Sequence, residues 1–302
     1  MANSNFDQAN SGSWSRRDFI SGIGVAMAGA SVLPAAEAFV QSEPGGGFPL
    51  FNGKDLSGFY THLVGYEKNN DPKQVFSVHD GMLHISGEVN GCIVSEQEYG
   101  NYRLVAEYKW GTKMWPPRET NAMDCGLLMH CGNEDGANFG LFPRSIQFQI
   151  YQGAVGDLVL LPGNEELSAM IEGEDRAGGF QHVSGAPAQQ RQAGGDGPPF
   201  DITAHFGKDP EWQNVKGFHS PNDATLPHDQ WNTMEVIADG DTLTCRINGR
   251  EVNKATNLRI GSEGTEASLT RGRIGIQSEG GEIFFRRLEL FASRPSFLDE
   301  RL

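Results

Sequence analysis

Asp124-Cys125-Gly126-Leu127-Leu128-Met129-His130-Cys131 carries Cys, Leu, Met and Cys at its odd positions, with Asp124 and His130 at even ones. Side chains alternate across a strand, so the segment reads as a β-strand with one core face and one face able to hold a polar ligand. Ser145-Ile146-Gln147-Phe148-Gln149-Ile150-Tyr151 repeats the pattern, with Gln147, Gln149 and Tyr151 opposite Ile146, Phe148 and Ile150. Tyr102 to Trp110 repeats it again: Tyr102, Leu104, Ala106, Tyr108 and Trp110 form one row, and Arg103, Glu107 and Lys109 the other. Three polar rows in register suggest a site.

Outward from these segments the rhythm continues. Strands are expected at Val75–Val78, Met82–Ser86, Cys92–Ser95, Leu158–Leu161, Asn232–Ala238, Thr242–Ile247, Arg273–Gln277 and Ile283–Phe291, punctuated by Asp80-Gly81, Asn248-Gly249 and Gly280-Gly281 turns. No long amphipathic helix and no internal repeat is found. Residues 162–226 lose the alternation and read as loops beside the site, with Gly194 to Pro199 the plainest loop text. The expectation is an all-β chain of two packed sheets.

The 302 residues suffice for one large β domain, and the formal net charge of −15 repels phosphate backbones, which argues against nucleic acid as a partner. Ser15-Arg16-Arg17-Asp18-Phe19-Ile20, a Gly/Ala-rich apolar run from Gly22 to Leu33, and Ala36-Glu37-Ala38 match a twin-arginine export signal. The run is too short and too weakly apolar for a spanning helix, which needs about 20 residues. The expected organisation is a signal peptide over 1–38, recognised by the twin-arginine export machinery. A linker over 39–47, a β-sandwich over 48–292 and a tail over 293–302 follow. The expected location is periplasmic or extracellular. Export favours disulfides, yet on one strand Cys125 and Cys131 would stand about 20 Å apart, beyond disulfide reach. Cys125, Cys131 and Cys245 fall in apolar rows, so buried free thiols are expected.

Further blocks stand in order: Leu50 to Phe59, Asp80-Gly81-Met82-Leu83, Asp124-Cys125-Gly126-Leu127, Gln147-Phe148-Gln149-Ile150 with Gly156-Asp157, Gln230-Trp231-Asn232, Ile247-Asn248-Gly249, and Gly272 to Gln277 leading to Phe285-Arg286-Arg287-Leu288. In order and spacing the chain resembles the family of 3-keto-disaccharide hydrolases over residues 48–291. The resemblance implies a concanavalin A-like jelly-roll with a concave sugar-binding sheet, and action on 3-keto glycosides. Two departures stand out. The family often has Glu where this chain has Gln147, and Asn-Ser where it has Asp124-Cys125.

A ketone at C3 of a sugar acidifies the C2–H; its removal expels the C1 substituent by elimination, and water can add later. Such chemistry needs a base, a group for the enolate and an acid for the leaving oxygen. Asp124, His130 and Glu107 are the candidate acid/base groups, and Lys109 the candidate enolate partner. Asp124 and His130 are about 20 Å apart along the strand, so they cannot serve one C2–H. Arg144, Gln147, Gln149, Tyr151 and Asp157 are candidates for holding hydroxyls. Each has a bland alternative: Glu107 and Lys109 a solvated strand pair, His130 a packed histidine, Asp124 a turn residue. A Gln at 147 carries no proton, which favours a non-catalytic sugar-binding module; the extra carboxylate at 124 favours an enzyme. A plain glucan hydrolase would carry paired carboxylates flanking the bond, and no Glu-x-Asp-x-x-Glu stands on any expected strand. His62, His79, His182, His205, His219 and His228, with Asp201 and Asp223, show no metal-ligand spacing, so the cofactor is undetermined, a divalent metal included. A carbohydrate or glycoside is the expected ligand.

Overall fold

Buried and open side chains alternate along several strands of the computed structural model, Asn232–Asp239 and Thr242–Ile247 among them, while Asp124–Cys131 is buried throughout; the structure describes residues 47–176, 179–194, 201–204, 212–220, 223–262 and 264–292. In chain order the strands are β1 (Phe48–Pro49), β2 (Phe59–Leu63), β3 (Phe76–His79), β4 (Met82–Ile85), β5 (Gly91–Ser95), β6 (Tyr99–Gly100) and β7 (Tyr102–Met114). Then come β8 (Asp124–Cys131), β9 (Ser145–Tyr151), β10 (Leu158–Leu161), β11 (Leu167–Arg176), β12 (Gly179–His182), β13 (Ala188–Ala193) and β14 (Asp201–Ala204). The last are β15 (Asn232–Asp239), β16 (Thr242–Ile247), β17 (Arg250–Ile260), β18 (Ala267–Ser268), β19 (Arg271–Ser278) and β20 (Gly281–Ala292). No helix occurs among the described residues, and none there is long and apolar enough to cross a membrane. The signal expected over 1–38, most of the linker and the tail from 293 lie outside the described residues.

Two antiparallel sheets form a jelly-roll sandwich. The larger runs β12-β11-β17-β16-β15-β7-β20-β4-β3; the smaller runs β14-β10-β9-β8-β19-β5-β2. Leu104, Ala106 and Tyr108 of β7 meet Leu127, Phe148 and Ile276 of the smaller sheet in one apolar core. Fully burying a side chain of this size contributes about 1.5–3 kcal/mol, so the core fixes which face each row takes. The Asn52–Asp55 turn is self-bonded: Asn52 Oδ1 accepts from the Lys54 and Asp55 amides, and the Asp55 carboxylate accepts from Asn52 Nδ2.

The stretch 162–226 corrects the loop expectation. β11 alternates buried Leu167, Ala169 and Ile171 with Ser168, Met170 and Glu172. It pairs with β13 and β17 and extends the larger sheet. A small Ala in the inward row and an apolar Met in the outward row obscured the period.

A β-bulge re-aims the end of β8. On β19, Arg273 and Gly275 pair with Cys131 and Leu128, so three steps on β8 face two on β19. The extra residue is His130, at φ +52°, in the left-handed region that non-glycine residues seldom adopt. Gly272 makes room, since a Cβ there would stand 2.5 Å from the His130 carbonyl carbon. Beyond the bulge the alternation inverts. His130 turns inward against Tyr102, their ring centroids 6.1 Å apart. Cys131 turns outward, into an apolar cluster with Tyr60, Cys92, Leu128 and Phe142 on the far side of the smaller sheet. All four cysteines are buried and free.

Candidate active site

The outer face of the smaller sheet divides in two. Its Cys131 end is closed by Phe142 and Leu141 from the segment after β8, packed on Leu128, Val159 and Leu161. Its other end stays polar, because there β8 and β9 run in strict alternation with Asp124 opposite Tyr151 and Gly126 opposite Gln149. Gln147 Nε2 donates to Gln149 Oε1 at 2.7 Å and to Gln277 Oε1 of β19 at 2.9 Å. Gly126 lies beneath this amide row. A Cβ at 126 would come within 2.5 Å of Gln277 Oε1 and 2.7 Å of Gln147 Nε2.

Beside the amides stands a charge cluster. Arg118, from the segment between β7 and β8, donates from Nη2 to Asp124 Oδ2 at 2.7 Å and from Nη1 to Glu279 Oε1 at 3.0 Å. Glu279 belongs to the β19–β20 turn and continues the outward row of Gly275 and Gln277. The Asp124 side chain is 9% exposed and that of Glu279 22%. Asp124 Oδ1 is buried without a hydrogen-bond partner. Burial and then the Glu279 charge push the Asp124 carboxyl well above the usual carboxylate range, against the pull of Arg118. Burial raises Glu279 as well. Two carboxyls on one guanidinium therefore both take up a proton more readily than free carboxyls do. Tyr151 completes the rim. Its hydroxyl donates to Asn214 Oδ1 at 3.0 Å, its ring packs on Trp212 at 5.1 Å, and burial, then the Asp124 charge, push it up to about 12.

Asp124, Gln147, Gln149 and Tyr151 thus share one surface. Asp157 is level with Gln149, whose amide donates to its carbonyl, and is 2% exposed. Other sequence candidates do not join them. Glu107 lies on β7 in the opposite sheet, because the period of one strand cannot say which sheet the strand enters. Burial raises its carboxyl, but Arg286 at 2.6 Å and Arg287 at 3.3 Å outweigh that and hold it below the usual range. Lys109, on the same strand, stands over the Trp231 ring at 5.2 Å. His130 is turned into the core by the bulge. Neither ring nitrogen makes a well-formed hydrogen bond, and burial, then the Arg144 charge, push it down to about 4. Arg144 sits at the closed end, donating to the His130 carbonyl at 3.1 Å and pairing with Glu165 at 2.9 Å.

Arg118, Glu279, Gln277, Asn214 and Trp212 were missed as site residues. For Gln277 and Glu279 a signal existed, since Gly275, Gln277 and Glu279 are the outward phase of β19. Arg118 and Asn214 lie in aperiodic segments that carry none. Among the described residues no group of three or more His, Cys, Asp or Glu is arranged to hold a metal ion.

The sequence model of the 3-keto-alpha-glucoside-1,2-lyase-like domain matches residues 47–290. No curated protein matches the chain. Among solved structures, a candidate glycosyl hydrolase of Parabacteroides distasonis aligns at 17% identity and TM-score 0.44, covering 80% of this chain and 92% of its own. The β-glucanase of Bacillus licheniformis aligns at 12% and 0.37, covering 83% of this chain and 100% of its own. The carbohydrate-binding module CBM66 of Bacillus subtilis aligns at 10% and 0.33, covering 76% and 93%.

Proposed function

The chain belongs to the 3-keto-alpha-glucoside-1,2-lyase-like family, and from that premise we propose that it cleaves 3-keto glycosides at the polar end of the smaller sheet. The observation that carries the reading is the Arg118 bridge between Asp124 and Glu279, with Asp124 Oδ1 left unpaired beside the amide row. In this reading Glu279, the more open carboxylate, removes the C2 proton. The electron pair moves onto the C3 carbonyl as an enolate, which the Arg118 charge stabilises. Collapse of the enolate forms the C1–C2 double bond and breaks the C1–O bond, and Asp124 gives its proton to the departing oxygen. Water adding to the unsaturated sugar would turn elimination into net hydrolysis. Gln147, Gln149, Gln277 and Tyr151 offer donors and acceptors for the ring hydroxyls. The twin arginines at 16 and 17 motivate an exported site of action.

The test is release of aglycone from a 3-keto glucoside. Asp124→Asn and Glu279→Gln should each lower kcat at least about 100-fold, the usual scale of a general acid or base, while the fold is kept. The second reading, a sugar-binding module, is favoured by Gln147, an amide already hydrogen-bonded where acid/base chemistry would need a carboxyl. Saturable binding of the keto sugar without turnover would establish it and refute the enzyme.

A further inference from the structure

Strand order gives the candidate site a direction. The smaller sheet runs β9-β8-β19 at this point. Asp124 on β8 therefore stands between Glu279, which follows β19, and Tyr151 on β9, its cross-strand partner. Such partners on one face are about 5 Å apart. A glycoside whose C2–H meets Glu279 and whose leaving oxygen meets Asp124 extends its aglycone over β9, against Tyr151.

The surface it meets there is aromatic. The Tyr151 and Trp212 ring centroids are 5.1 Å apart with planes 56° from parallel, and Phe218 stands edge-on to Trp212 at 6.5 Å. All three side chains are half-buried. Gly153, at φ +75°, makes room for the pair behind: a Cβ there would come within 2.4 Å of Phe218 Cδ1 and 3.0 Å of Trp212 Cδ1. The segment is stapled down at several points. Trp212 Nε1 donates to the Gln152 carbonyl at 3.0 Å, and the Gly217 amide to Gln152 Oε1 at 2.9 Å. Asn214 Oδ1 accepts from the Ala122 amide and from the Tyr151 hydroxyl, each at 3.0 Å. The Lys216 amide donates to the Thr120 carbonyl at 2.9 Å. The rings are thus in place before a ligand arrives, which lowers the ordering cost of binding.

Taking the place of the sugar from the cleavage reading, we propose that Tyr151 and Trp212 form the aglycone subsite and that it selects a flat aromatic aglycone over a second sugar. Two tilted rings let an aryl group stack on one and meet the other near edge-on, the arrangements aromatic pairs favour. A second sugar fares worse. Trp212 Nε1, Asn214 Oδ1 and the hydrogen of the Tyr151 hydroxyl are already engaged, so its several hydroxyls would lose water for few partners.

The experiment is calorimetric titration of the full chain with phenyl α-glucoside, methyl α-glucoside and maltose. None carries the C3 ketone that cleavage needs, so binding is read without turnover. The phenyl glucoside should bind at least about tenfold tighter than the other two, the scale of one good aromatic contact. Trp212→Leu keeps apolar bulk over Gly153 but no ring. It should bring the phenyl glucoside to within about twofold of the methyl glucoside, whose own affinity stays unchanged. Maltose binding as tightly as the phenyl glucoside, a phenyl preference that survives Trp212→Leu, or no phenyl glucoside binding at millimolar concentrations would each overturn the proposal. Should Trp212→Leu fail to fold, the three-ligand comparison on the native chain decides. The 3-keto forms of the same sugars separate this inference from the reading beneath it. Release of aglycone from none of them, with the phenyl preference intact, refutes cleavage and leaves the aromatic subsite standing. Release at equal KM from the phenyl and methyl forms sustains cleavage and overturns the subsite.

Discussion

Replacing Arg118 by Met keeps much of the side chain's length and removes its charge. Two charge-assisted hydrogen bonds go, to Asp124 at 2.7 Å and to Glu279 at 3.0 Å, each contributing about 1.5–3 kcal/mol. Removing one partner of a buried charge cluster costs about 3–5 kcal/mol in total, because charge is left without compensation. The exposure of Glu279 and uptake of a proton cut this, so about 3 kcal/mol is expected at pH 8. The pH dependence carries its own sign. Both carboxyls are already raised in the folded protein. Such groups contribute stability that is complete below the unfolded carboxylate range, near pH 4, and is lost as pH climbs through the folded values. Arg118→Met raises them further and extends that loss to higher pH, so at pH 4.5, where both carboxyls carry less charge than at pH 8, the penalty should fall to about 1 kcal/mol. Urea unfolding of both proteins at pH 4.5 and 8 measures it. An equal penalty at the two pH values, or one larger in acid, would refute an Arg118 that neutralises two buried carboxyls.

Three further outcomes follow from the geometry. His130 stays neutral in the core down to about pH 4, so native stability should fall by up to about 3 kcal/mol between pH 6.5 and 4 as the unfolded chain takes up the proton. His130→Phe should flatten that limb in an acid titration of Tm and leave turnover intact; an unchanged slope would contradict the inward orientation. Glu107→Gln should change turnover less than about twofold and stability by no more than about 1 kcal/mol, since its partners Arg286 and Arg287 are 46% and 37% exposed; loss of turnover would return Glu107 to the site. Gly126→Ala should drive Gln147 and Gln277 apart and cost about 1–3 kcal/mol by overpacking, with substrate affinity reduced; full affinity would mean that the amide row does not touch substrate.

The two-sheet architecture was legible because period-2 alternation is a local property. Rows such as Leu104, Ala106 and Tyr108, or Ile146, Phe148 and Ile150, must all face the core or none, and burial decides the phase. The polar row of Asp124, Gln147, Gln149 and Tyr151 followed from the same rule. It failed at His130, where one inserted residue, permitted by Gly272 on the neighbouring strand, inverts the alternation. It failed for β11 too, where a small residue and a Met blur the contrast.

The sequence by itself therefore determined the fold class, the inward rows and one strand face of the site, since each depends on neighbours two residues apart. Only the tertiary structure decided that Glu107 belongs to the other sheet and that Arg118 and Glu279 meet Asp124. The physical reason is range. Register and sheet order are fixed by pairings between residues far apart in the chain, such as β19 with β8, so a charge cluster drawn from a loop, a strand and a turn exists only after those strands have paired.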